Sequence, residues 1–116
     1  MYKIDAKIQK TEHTETRGVV LIYFTSTNGD LKLELPEKIN YFKDKDDVSI
    51  RFVNDGQHET DDKLFTTGYV YSNVINDQDT RIIHISIGGL NFKLELTDKA
   101  EIPILKNGTQ LYIGFK

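Results

Sequence analysis

The 116-residue chain contains no cysteine, only two prolines, and no large excess of either charge. Without cysteine there is no disulfide framework and no thiolate metal site. That composition fits a reducing compartment. No apolar run approaches the ~20 residues needed to cross a bilayer. A signal peptide needs a continuous apolar stretch, whereas the opening segment alternates: Tyr2, Ile4, Ala6 and Ile8 against Lys3, Asp5, Lys7 and Gln9. The expectation is a soluble, cytoplasmic protein without membrane contact. The formal net charge of −3 argues against strong non-specific attraction to nucleic acid, which depends on Lys and Arg displacing counterions. Charged residues make up 28% of the chain with both signs mixed, the pattern of an ordinary solvated surface.

A helical period is also missing. The recurring period is two, the signature of strands with one buried face. Val19 to Phe24 is a β-branched and aromatic run, read as a strand buried on both faces or bent across the core. Asn28-Gly29 is a type I′ hairpin signal, after which Leu31, Leu33 and Leu35 alternate up to Pro36. The charged stretch from Glu37 to Asp47 has room for one short helical turn, with Ile39, Tyr41 and Phe42 as anchors. Val48, Ile50 and Phe52 mark the next strand. Asn54 to Lys63 reads as an exposed, turn-rich loop.

Leu64 to Ile75 is a long strand interrupted at Gly68, where a bulge or a close backbone approach is expected. After the turn Asn76 to Asp79 comes Arg81 to Ile87, with Ile83, Ile85 and Ile87 on one face. Gly88-Gly89 makes a tight hairpin into alternating Leu90, Phe92, Leu94 and Leu96. Asn107-Gly108 leads to a last strand, Leu111 to Phe115. The reading is one domain, 1–116, all-β, with about eight antiparallel strands and no long helix. A Greek-key barrel is preferred, because closure removes exposed edges. At this length a chain buries roughly 65% of its unfolded surface, enough for one core without staples. Each half carries a tight hairpin, but turns this common do not by themselves make a repeat.

Reactive chemistry is sparse. His13, His58 and His84 have no partner at metal-ligand spacing. Asp55, Glu59, Asp61 and Asp62 do not fit the twelve-residue calcium loop. Ser26, Ser49, Ser72 and Ser86 lie in no nucleophile elbow, and Gly88-Gly89 lacks a phosphate-cradling pattern. No catalytic residue, cofactor, metal or small-molecule substrate is therefore expected. Tyr69 and Tyr71 share one strand face, near Phe65 and Lys63. Such aromatics stack unpaired bases in some β-barrels, but they also dominate cores and protein interfaces, the reading preferred here.

The order of motifs carries a resemblance. Leu64-Phe65-Thr66-Thr67-Gly68-Tyr69-Val70-Tyr71 holds a Gly-x-Val-Tyr pattern. Arg81 follows, then Ser86-x-Gly88-Gly89-Leu90, Leu94 and the segment Leu111-Tyr112-Ile113-Gly114-Phe115-Lys116. This arrangement resembles the small eighth subunit shared by eukaryotic nuclear RNA polymerases, whose archaeal counterpart is the polymerase's G subunit. It differs in the short stretch 54–63, where the eukaryotic subunits have a much longer acidic loop. The resemblance implies an eight-stranded Greek-key barrel of OB-fold type. It also implies a non-catalytic accessory subunit of an archaeal DNA-directed RNA polymerase, docked on the largest subunit near the pore and funnel. Gly68, Val70, Tyr71, Arg81, Gly88, Gly89 and Leu90 become candidate partner-interface residues. Turn and bulge geometry is the preferred explanation of the glycines over direct contact, and Tyr71 and Leu90 are the better interface candidates, though each could be core. A free-standing single-strand nucleic-acid-binding module stays open as the alternative, as does weak or indirect nucleic-acid contact by a docked subunit.

Overall fold

The structure is a computed structural model that describes residues 1–56, 61–98 and 100–116. Period-two alternation becomes eight strands: β1 (Tyr2–His13), β2 (Val19–Ser26), β3 (Gly29–Pro36), β4 (Asp47–Val53), β5 (Leu64–Ile75), β6 (Arg81–Ile87), β7 (Leu90–Leu96) and β8 (Gln110–Phe115). They close into an antiparallel barrel in the order β1-β2-β3-β7-β6-β5-β8-β4. The helices among the described residues are two three-residue 3-10 turns, Glu37–Ile39 and Pro103–Leu105. Among the described residues no helix is long and apolar enough to cross a membrane.

Read around the barrel, the strands form two Greek keys, β4-β1-β2-β3 and β8-β5-β6-β7. The keys correspond element by element. β1 and β5 each have 12 residues and one bulge, between Ile8 and Lys10 and between Val70 and Ser72. Each key has a tight second-to-third-strand hairpin and a 3-10 turn before its fourth strand. Equivalent strands meet at both seams, β3 on β7 and β4 on β8. At the first seam Leu31 faces Leu94, Lys32 faces Lys93 and Leu33 faces Phe92. Exchanging the halves maps that seam onto itself, as a local two-fold axis requires. The repeat is thus topological, with the two hairpins at matching positions.

The inward residues fill the barrel. A file of rings crosses it: Tyr2–Phe52 at 6.0 Å, Phe52–Phe92 at 6.1 Å, Phe92–Phe115 at 5.8 Å, Phe115–Phe42 at 5.7 Å and Phe42–Phe24 at 5.6 Å. Phe42, from the β3–β4 connection, plugs one end, and Ile102 and Leu105 enter from the equivalent β7–β8 connection. These rings and the surrounding Ile and Leu occupy the space a ligand would need.

Three local expectations change. β2 is not buried on both faces: Val20, Ile22 and Phe24 point in, while Leu21 and Tyr23 are half-exposed. The first hairpin turns one residue earlier than the Asn-Gly signal, because Ser26 pairs with Gly29 and leaves Thr27 and Asn28 at the corner. Neither corner residue has positive φ; the Ser26 hydroxyl instead accepts the Asn28 and Gly29 amides at 3.2 and 3.1 Å. Gly29 (φ +140°) is needed because a Cβ there would sit 1.9 Å from the Glu95 carbonyl oxygen. Finally, Ile39 is exposed rather than an anchor; Phe42 takes that role.

Candidate functional site

A packed interior confines function to the outside of the barrel, and its lateral faces differ in chemistry. The outer face of β1, β2 and β3 is polar and internally paired. Lys10 contacts Glu12 at 2.9 Å and lies 4.6 Å from the Tyr23 ring centre, and the Tyr23 hydroxyl donates to Glu12 at 3.1 Å. The contacts hold one another ionised or protonated: Lys10 is raised and Glu12 lowered chiefly by their mutual hydrogen bond, and Tyr23 is raised chiefly by its bond to Glu12.

The outer face of β4 and β8 is covered by the chain's own β4–β5 connection. Arg51 points outward opposite Gly114, whose missing side chain makes room for the guanidinium; a Cβ there would lie 2.8 Å from Nη2. Asp62 reaches over from the connection and pairs with Arg51. A Cβ added at Gly56 would lie 3.6 Å from the Tyr112 ring, and Phe65 stacks on Tyr112 at 5.7 Å. The expected solvated loop is therefore partly a cover. Asp62 is buried in its ion pair and Asp61 sits 3.5 Å from Lys116, so both carboxylates are committed to cations of the chain. His58 and Glu59 lie outside the described residues. Among the described residues no cluster of three His, Asp or Glu could hold a metal ion.

The third region is apolar and uncovered. On β5, Phe65, Tyr69 and Tyr71 alternate outward because Gly68 and Val70 point in. The Tyr71 ring stacks on His84 of β6 at 5.6 Å, and its hydroxyl donates to Asn91 Oδ1 at 2.6 Å. His84 Nδ1 lies 3.3 Å from the same oxygen. Asn91 is itself held by its amide, which donates to Glu34 at 2.8 Å. That bond sits just past Leu33–Phe92, the last β3–β7 pair. Beside it opens a cleft of about 290 Å³ lined by Leu35, Ile39, Leu64, Ile87, Gly88 and Leu90. A shallower hollow bordered by Gly88, Gly89, Ser86 and Tyr69 joins the cleft to the tyrosines. Beyond them Val74 and Ile75 continue the exposed apolar surface.

The residues singled out from the sequence divide accordingly. Gly88 and Gly89 have φ of +58° and +88°, the type I′ geometry of the β6–β7 hairpin, and both are exposed. Leu90 lines the cleft and Tyr71 stands on the open face. Val70 is fully buried in the core. Gly68 is buried too, with a built Cβ only 2.7 Å from Ile85 Cγ2 and 3.2 Å from Ile113 Cδ1. Neither the bulge nor the backbone approach expected at Gly68 is found there: side chains of β6 and β8 crowd it instead, and the bulge lies further on, at Tyr71. Arg81 starts β6, where its Nη1 donates to Asn73 Oδ1 at 2.7 Å. Sequence reasoning missed Ile39, Val74 and Ile75 as surface residues. The available signal was the adjacent pair Val74-Ile75, which breaks the strand's alternation.

A family model that describes the G subunit of DNA-directed RNA polymerase matches residues 1–116. No curated protein matches the chain.

Proposed function

The chain belongs to the family of DNA-directed RNA polymerase G subunits, and from that premise we propose that it is a non-catalytic accessory subunit of an archaeal, cytoplasmic RNA polymerase, docked on the largest subunit near the pore and funnel. The whole-length family match carries the reading; the barrel supports it. Its interior is packed and one lateral face is closed by its own loop. The apolar belt from Ile39 and Leu90 through Gly88-Gly89 to Tyr71 and Val74 is what a partner surface would cover. Of the candidate interface residues, Tyr71, Gly88, Gly89 and Leu90 are accessible to that partner, while Gly68 and Val70 shape the strand from within. Arg81 supports β5 through Asn73.

The nucleic-acid alternative needs cations beside the exposed aromatics. Lys93, beside His84, is paired with Glu95 at 3.0 Å, and Lys63 lies over the Tyr41 ring at 5.8 Å, which favours the protein-docking reading. The test is reconstitution. The chain should join polymerase assembled without it, in fixed stoichiometry with the largest subunit, and should cross-link to that subunit through the belt. Stable exclusion from the assembled enzyme would end this reading.

A further inference from the structure

β5 has strands paired on both sides only at Tyr69, which faces Ser86 of β6 and Gln110 of β8; Leu64–Gly68 pairs with β8 alone. Val70 still exchanges backbone hydrogen bonds with Thr109 and Gly108 on the β8 side. The bulge at Tyr71 then turns the strand, and Ser72–Ile75 continues paired with β6 alone. Along its other side no strand lies among the described residues. A strand edge of this kind presents backbone N–H and C=O groups to any extended chain alongside it.

The matching segment of the first key is built differently. Lys10–His13 also runs past its second neighbour and pairs with β2 alone. It carries Lys10 and Glu12, locked together and to Tyr23. Charged side chains, Lys above all, are how natural edges resist strand addition. The β5 edge, Ser72-Asn73-Val74-Ile75, has no charge, and Val74 and Ile75 are 56% and 46% exposed. It is also braced: Asn73 Nδ2 donates to the Leu105 carbonyl at 2.7 Å, and Arg81 Nη1 donates to Asn73 Oδ1 at 2.7 Å. Two topologically equivalent edges thus differ in the feature that governs strand addition.

We propose that the Ser72–Ile75 edge accepts an extended strand of the polymerase subunit on which this chain docks, adding a strand beside β5. The inference rests on the polymerase-subunit reading. The incoming strand carries alternating apolar side chains on the side of Tyr71 and Val74. Where it passes Asp77 in the turn after β5 it carries a Lys or Arg. Backbone bonds supply affinity and the flanking side chains supply selection.

The experiment is amide hydrogen exchange on the full chain, free and reconstituted into polymerase assembled without it, using wild type and the double variant Val74→Lys/Ile75→Lys. Both substituted positions are exposed, so the variant's unfolding transition serves as the folding control. Expected are slowed exchange within Ser72–Ile75 on reconstitution and retention of the variant weakened by ~10-fold or more. A Lys10→Ala/Glu12→Ala variant should be retained like wild type. If wild type joins the enzyme while Ser72–Ile75 exchange stays unchanged, strand addition is overturned and the subunit reading stands. If wild type fails to join, both fall. A stable homodimer of the free chain that the double variant abolishes would assign the edge to a second copy and also overturn the proposal.

Discussion

Arg51 holds Asp62 through two parallel hydrogen bonds, Nη1 to Oδ1 at 2.9 Å and Nη2 to Oδ2 at 2.7 Å, with the side chains only 6% and 1% exposed. The pair fastens the β4–β5 connection to the outside of the barrel. A buried pair need not stabilise more than an apolar replacement, but breaking it strands a charge. Asp62→Ala should therefore cost ~3–5 kcal/mol of unfolding free energy. The double variant Arg51→Met/Asp62→Leu should recover most of that loss. Chemical denaturation of the three proteins checks both statements, and an Asp62→Ala value near zero would contradict the burial.

Tyr41 gives a pH dependence. Burial, assisted by the nearby Asp62 charge, raises its phenol well above the ordinary value. An acid whose folded pKa is raised favours the folded state while protonated. That stability is complete below the unfolded pKa of ~10 and is lost as pH rises beyond it toward the folded value. Burial and Glu12 push Tyr2 and Tyr23 in the same direction. Denaturation at about pH 9 and about pH 11 should show a marked fall in wild type and a smaller one in Tyr41→Phe. Equal falls would remove Tyr41 as a cause.

Two glycines with positive φ should respond unequally. A Cβ at Gly88 would meet nothing within 4 Å, so Gly88→Ala should cost ~1 kcal/mol, the strain of the left-handed conformation alone. At Gly29 the added carbon would overlap the Glu95 carbonyl, so the β3–β7 seam would have to separate there. Gly29→Ala should cost about 3 kcal/mol or more. Similar thermal shifts for the two variants would refute the seam contact.

The docking reading singles out Tyr71. Tyr71→Ala removes a half-exposed ring and its 2.6 Å bond to Asn91 but leaves the core intact. Retention in reconstituted polymerase should weaken by ~10-fold or more, as for a buried aromatic anchor. Tyr23→Ala, on the charged face, should be retained like wild type. Competition binding against labelled wild-type chain measures both.

The strands were legible because their phase is written in side chains: Leu31, Leu33 and Leu35, then Phe92, Leu94 and Leu96, alternate without a break. The same phase places Gly68 and Val70 inside and Tyr71 outside. The order of the strands was not legible. Leu31 meets Leu94 across most of the chain, and nothing local records that pairing. Arg51 was equally silent, one cation between Ile50 and Phe52 whose partner arrives from a loop. Phe42 sits in a charged stretch that gives no sign it closes a barrel end. The belt was read only in part, since the bulge at Tyr71 resets the alternation and carries Val74 and Ile75 onto the surface.

The two-fold relation between the keys bears on how the protein is made. When the ribosome has delivered only residues 1–53, β3 and β4 both lack their outer neighbours. The strands that will complete them, β7 and β8, are their own structural equivalents. A nascent first half therefore displays two edges that match those of another nascent first half on the same message. Delivery of β5 to β8 on the same chain makes closure intramolecular, where the effective concentration of the matching edge far exceeds that of any edge on another chain.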